Sequence, residues 1–87
     1  MMWMAVSDKI ILQVITPETT LLEKQVSKVS LPGTKGRFMI LKDHAPLISS
    51  LEEGEVVFSS DEGEGRIHIL SGFVEVIDNK VTVCAEV

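Results

Sequence analysis

From Lys80 to Val87 apolar and polar residues alternate without a break. Val81, Val83, Ala85 and Val87 share one face, and Lys80, Thr82, Cys84 and Glu86 share the other. A period of two places successive side chains on opposite sides of an extended backbone, so this stretch predicts a strand with one face on a core and one in water. Ile67 and Ile69 alternate with Arg66 and His68 in the same way, Val29 and Leu31 with Lys28 and Ser30, and Val56 and Phe58 with Glu55, Val57 and Ser59. Ile10, Leu12 and Val14 line one face of the first long strand. Its other face, Lys9, Ile11, Gln13 and Ile15, is apolar enough to predict partial cover. No window carries a convincing amphipathic helix of ten residues or more.

Turn signals separate these runs. Thr16-Pro17-Glu18 bends where proline locks φ, and Pro32-Gly33 predicts a type II turn, with glycine supplying the positive φ. Glu53-Gly54, the Gly63 and Gly65 pair, and Asp78-Asn79 complete the set. Asn79 suits a left-handed position in a tight hairpin between Val74–Ile77 and Val81–Ala85. Short strands with turns at this spacing predict an all-β fold, a sandwich or flattened barrel. One length resists the pattern. Lys42 to Leu51 begins with an irregular corner in which Pro46 forces Ala45 towards an extended conformation, and Leu47 to Leu51 then resumes as a strand. An irregular, partly apolar corner on a rigid scaffold predicts a recognition surface.

Size and charge narrow the reading. The 87 residues make one domain, 1–87, with residues 1–8 expected to be a frayed extension or a strand edge. Hydrophobic residues at 45% and charged residues at 24% suit a globular domain and argue against disorder. The net charge of −5, with its lysines and arginines scattered singly, argues against nucleic acid. The acidic runs at Glu52, Glu53, Glu55 and at Asp61, Glu62, Glu64 lack the alternating ligands of a calcium loop and read as solvated turns. Cys84, the only cysteine, excludes an internal disulfide and reads as an inert strand residue. The apolar start, Met1 to Val6, falls far short of the roughly 20 residues a spanning helix needs. It also lacks the form of a signal peptide, so no direct membrane insertion is predicted.

Candidate chemistry is sparse. His44 and His68 are too few for a metal site without acids at ligand spacing. Asp43-His44 places a carboxylate beside an imidazole, yet no serine or cysteine is placed as nucleophile. Leu31 to Gly36 contains Gly and Lys but not in phosphate-loop order. No catalytic residue, metal or cofactor is therefore predicted, and the residues point to a binding module rather than an enzyme.

Two stretches add a resemblance. Leu31-Pro32-Gly33-Thr34-Lys35-Gly36 precedes Asp43-His44-Ala45-Pro46-Leu47, and Ser71-Gly72-Phe73-Val74-Glu75-Val76 precedes Asp78-Asn79-Lys80-Val81-Thr82-Val83. Together they resemble the N-terminal β-domain of the ε subunit of F-type ATP synthases, over roughly Lys9 to Val87. That resemblance implies a sandwich of roughly eight to ten strands in two antiparallel sheets. It also implies a non-catalytic rotor part of the central stalk. As part of a hetero-oligomer, such a part binds the γ subunit and the ring of c subunits and couples proton flow to ATP synthesis. The place implied is the cytoplasmic face of a bacterial inner membrane. Carried over residue by residue, Thr16, His44, Pro46 and Leu47 would face γ, and Gly33, Lys35 and Arg37, in the loop from Gly33 to Arg37, would face the ring.

The chain departs from the family pattern in places. Arg37 stands where an acidic residue is frequent, Lys42-Asp43 where Pro-Gly is usual, and Met39 where Gly is common. Most relatives continue into a helical hairpin that can inhibit ATP hydrolysis; the sequence in hand ends at Val87, and the expectation is a short form without that arm. A competing class is the biotinyl or lipoyl carrier, which displays a modifiable lysine at a mid-chain hairpin. Lys42 is near the middle, but Leu41-Lys42-Asp43 is not the flanking sequence such a lysine has. A carbohydrate-binding sandwich needs exposed aromatics, and Trp3, Phe38, Phe58 and Phe73 offer little platform.

Overall fold

The computed structural model describes residues 9–87, all in strands, turns and irregular corners. The apolar start and Trp3 lie outside the described residues. Nine strands follow in chain order: β1 Ile10–Ile15, β2 Thr20–Val26, β3 Lys28–Gly33, β4 Gly36–Ile40, β5 Leu47–Leu51, β6 Gly54–Ser60, β7 Gly63–Ile69, β8 Ser71–Ile77 and β9 Lys80–Glu86. They form one continuous sheet in the order β2-β1-β9-β8-β5-β3-β6-β7, with β4 on the other edge of β3. Between β5 and β3 the pairing narrows to a single residue pair, Gly33 with Leu51. There the sheet folds back on itself. The result is a five-stranded layer, β2-β1-β9-β8-β5, packed on a four-stranded layer, β4-β3-β6-β7.

The core is what the alternating pattern predicts. Ile10, Leu12, Val14, Val74, Val76, Val81 and Val83 from the first layer meet Val29, Leu31, Ile40, Val56, Phe58 and Ile69 from the second, all buried. Each such side chain contributes on the order of 1.5–3 kcal/mol relative to exposure. No polar or charged residue is buried among the described residues. The side of the sandwich opposite the Gly33–Leu51 seam is closed by polar groups. Ser27 N–H donates to Ser59 O at 2.8 Å, Lys9 Nζ lies 2.7 Å from Asp61, and Lys24 pairs with Glu62.

Three expectations are corrected. The layers are not wholly antiparallel, because β1 runs parallel to β9, Ile11 opposite Lys80 through Ile15 opposite Cys84. No hairpin ties these two strands, which come from opposite ends of the chain, so local turn chemistry does not set their direction. Pro32-Gly33 is not a turn either. Both residues are buried within β3, and the chain reverses at Thr34-Lys35, with Gly36 at φ 127°. Proline is tolerated there because pairing of β3 with β6 ends at Ser30 and pairing with β5 begins at Gly33. Its missing amide hydrogen falls in the gap, while Pro32 O still accepts from Glu52 N–H at 2.9 Å. Gly33 is required for space, since a Cβ would lie 2.7 Å from Gly36 O and 2.8 Å from the Phe38 ring. Lastly, the loop drawn from Gly33 to Arg37 shrinks to its tip, because β4 begins at Gly36 and Arg37 is a strand residue.

Candidate functional site

The two outer faces of the sandwich differ in chemistry. On the four-stranded layer, polar side chains are tied to one another. Arg37 Nε donates to Ser30 Oγ at 2.9 Å, and its Nη2 reaches the Glu55 carbonyl. Arg66 bridges Glu55 and Glu64 at 2.9 Å each, and these two carboxylates hold its guanidinium pKa above the ordinary value, Glu55 first. His68 Nε2 is 3.2 Å from Glu53. A face whose charges are already paired and hydrated gains little from a partner.

The outer face of the five-stranded layer is a mosaic with apolar residues in register across four strands. Ile15 stands opposite Cys84, Cys84 opposite Phe73, and Phe73 opposite Ser50. The next row along runs Gln13, Thr82, Glu75, Ile48, and the next Ile11, Lys80, Ile77. Ile48 is 73% exposed, Phe73 50% and Ile77 48%. At the Phe73 end the face dips into an apolar groove lined by Ile15, Pro17, Gly72, Phe73 and Ala85. Gly72 is fixed by packing, because a Cβ there would stand 2.3 Å from Cys84 O.

Of the residues expected to face γ, Thr16, His44 and Pro46 stand at the two ends of this face, while Leu47 turns inward and packs against the core. Thr16 closes the β1–β2 turn: its N–H donates to Thr19 O at 2.8 Å, and its Oγ1 accepts from Glu18 and Thr19 N–H at 3.3 and 3.2 Å. His44 and Pro46 lie at the other end, in the corner between β4 and β5, and Leu47 opens β5 opposite Val76. Thr16 and His44 are thus separated by the length of β1, roughly 20 Å for six residues. They do not form one cluster; they bracket one surface. His44 Nδ1 lies 2.7 Å from Ala45 O. A carbonyl only accepts, so Nδ1 carries the hydrogen and the neutral ring offers Nε2 as its acceptor.

Of the ring-facing candidates, Lys35 is exposed at the β3–β4 tip and Gly33 is buried at its base. The tip stands beside β5, with Thr34 Oγ1 2.9 Å from Ser50 Oγ. Arg37 turns away, across β3. Sequence reasoning missed Ile48, Phe73 and Ile77. For Phe73 and Ile77 the signal is that β8 carries apolar residues in both phases, Val74 and Val76 inward and Phe73 and Ile77 outward. For Ile48 it is the adjacent apolar pair Leu47-Ile48 at the start of β5, one residue inward and one outward. The same two-phase pattern predicts partial cover on β1.

Among the described residues no group of three or more His, Cys, Asp or Glu could hold a metal, and no helix is long and apolar enough to cross a membrane. A rigid β-sandwich with a partly apolar outer face and an apolar groove in it defines a docking module. Residues 9–87 match the family described as ATP synthase, delta/epsilon chain, beta-sandwich domain, and the chain belongs to that family. The ATP synthase epsilon chain of Maridesulfovibrio salexigens is 37% identical over 81 residues, which are 93% of this chain and 57% of that one. That of Desulfitobacterium hafniense is 44% identical over 75 residues, 86% of this chain and 57% of its own. The chain therefore spans a little over half the length of these curated relatives. Two solved structures share the fold. A chain of the Euglena gracilis mitochondrial ATP synthase, OSCP/F1/c-ring assembly, superposes with a TM-score of 0.84 at 20% identity, over 93% of this chain and 52% of that one. A chain of the Tetrahymena thermophila ATP synthase central stalk and c-ring gives 0.74 at 15% identity, over 88% and 63%.

Proposed function

We propose that this domain is a non-catalytic rotor part of the central stalk of a proton-translocating F-type ATP synthase. It binds γ through the outer face of the five-stranded layer and meets the c-ring through the β3–β4 tip, so that proton flow drives ATP synthesis elsewhere in the complex. It makes and breaks no bond itself. As such a part it is peripheral, held at the cytoplasmic face of a bacterial inner membrane by its partners.

The observation that carries this reading is the contrast between the two outer faces. One layer, Met39 apart, ties its polar groups together on its own surface; the other presents Ile48, Phe73 and Ile77, one in each of three successive rows, between Thr16 and His44. The family and the relatives' name, ATP synthase epsilon chain, support a partner within that enzyme, and γ is the subunit that the resemblance implies. A carrier role finds no support at Lys42, which is half-buried beside the irregular corner rather than displayed at the tip of a hairpin. The test is co-expression with the γ subunit encoded alongside it. A stable one-to-one complex burying at least about 1,200 Å² is expected. A chain that elutes alone from that preparation refutes the proposal.

A further inference from the structure

The corner that carries His44 has an anchor of its own. Asp43 N–H donates to Asn79 Oδ1 at 2.6 Å, and Asn79 Nδ2 donates back to Asp43 Oδ1 at 3.2 Å. The two residues are 36 apart in sequence, and both are left-handed, Asp43 at φ 66° and Asn79 at φ 62°. Asn79 is also tied through its backbone, since its carbonyl accepts from Ile11 N–H at 2.9 Å. One side chain therefore fastens the β4–β5 corner to the β8–β9 turn, and the same residue fastens that turn to β1. Besides this latch, the corner from Lys42 to Pro46, which pairs with no strand, has a bond of 3.3 Å from His44 N–H to Leu41 O and the His44 Nδ1 contact with Ala45 O at 2.7 Å.

We infer that Asp43 and Asn79 are positioning residues. Their reciprocal hydrogen bonds fix the His44–Pro46 corner in the conformation that the γ subunit meets. This inference rests on the γ-binding reading above and deepens it, because it assigns to two residues outside the docking face the orientation of one end of that face. A segment without ladder bonds samples many conformations, and a partner that binds only one of them is met by the populated fraction alone. The latch raises that fraction. Neither residue is required to touch γ.

The test uses Asn79→Gly and Asp43→Gly. Glycine adopts both left-handed positions without strain, so the turns are spared. Asn79→Gly removes both bonds of the latch, whereas Asp43→Gly removes only the one from Asn79 Nδ2 and keeps the backbone donor to Asn79 Oδ1. In the free parent chain the Asp43 amide should be protected from hydrogen exchange, and Asn79→Gly should reduce that protection about five- to tenfold. Asn79→Gly should weaken γ binding by a similar factor, mostly through slower association because fewer free molecules hold the competent corner. Asp43→Gly should weaken it less, and the double variant should be no worse than Asn79→Gly alone. The mid-point of unfolding should move little, because the corner is exposed. Equal Asp43 exchange in parent and Asn79→Gly overturns the latch whatever γ does. Lost protection with unchanged γ affinity overturns its positioning role. If the parent fails to bind γ, the functional proposal falls, and the exchange measurement still decides whether the latch exists.

Discussion

Gly72 shows how much one missing side chain decides. It lies opposite Leu51 on β5 and Ala85 on β9, at φ 157°, with Cys84 O where a Cβ would go. Gly72→Ala therefore cannot be absorbed by a side-chain rotation; β8 must move from β9, and the groove beside Phe73 must change shape. A loss of roughly 2–4 kcal/mol is expected in urea unfolding, the size typical of backbone clashes and overpacking. A variant as stable as the parent would mean that the two strands are not held as described. Sequence alone marked this glycine only as part of a motif, since its necessity comes from a neighbour twelve residues away. Asn79 was legible, because a left-handed residue in a tight hairpin needs Asn or Gly. The partner that its side chain finds in Asp43 was not, since no local pattern links residues 36 apart.

Strands read well from their period, and their arrangement read poorly. The burial pattern of β9, alternating from Lys80 to Ala85, follows the sequence, and only Val87 falls outside the strand and into solvent. The parallel pairing of β1 with β9 and the seam at Gly33 depend on contacts across most of the chain, which alternation does not encode. Elements that close the sandwich at long range should also show it in their pH response. Glu62, in the β6–β7 turn, hydrogen bonds to Lys24 of β2, and that bond first, then the lysine charge, lowers its pKa below the ordinary value. The carboxylate form is thus favoured by folding. The clamp's contribution is fully present above the unfolded pKa, about 4.3, and is lost as the pH falls through the lower folded value. Glu62→Gln should flatten this acid limb of the stability curve, read as unfolding mid-points between pH 7 and pH 3. An unchanged limb would show that the exposed pair is silent, as many surface pairs are.

At the scale of the whole molecule, the division of labour between surfaces is open to a direct test. Three sites sample different parts of the surface: Phe73 at the Thr16 end of the five-stranded layer's outer face, Lys35 at the β3–β4 tip, and Lys28 on the outer face of the other layer. Phe73→Asp places a charge in the apolar groove beside Ile15, Pro17 and Cys84, where docking would strip its water. It should weaken γ binding by about 2 kcal/mol or more, roughly thirtyfold, as loss of an aromatic anchor seated in a pocket does. Its effect on stability should stay below about 1 kcal/mol, because the ring is half exposed in the free domain. Lys35→Glu should leave γ binding unchanged and weaken attachment of the γ-bound domain to the ring, more so at low salt, since an exposed tip acts through long-range charge. Arg37→Glu is the poorer probe of that contact. Its guanidinium is committed to Ser30 and Glu55, so reversal perturbs the second layer before it reports on any partner. Lys28→Glu should change neither interaction. If Phe73→Asp and Lys28→Glu bind γ equally well, the contrast between the faces has no functional meaning. If Lys35→Glu lowers γ binding instead, the β3–β4 tip belongs to the same interface, and the two partners do not divide the surface as proposed.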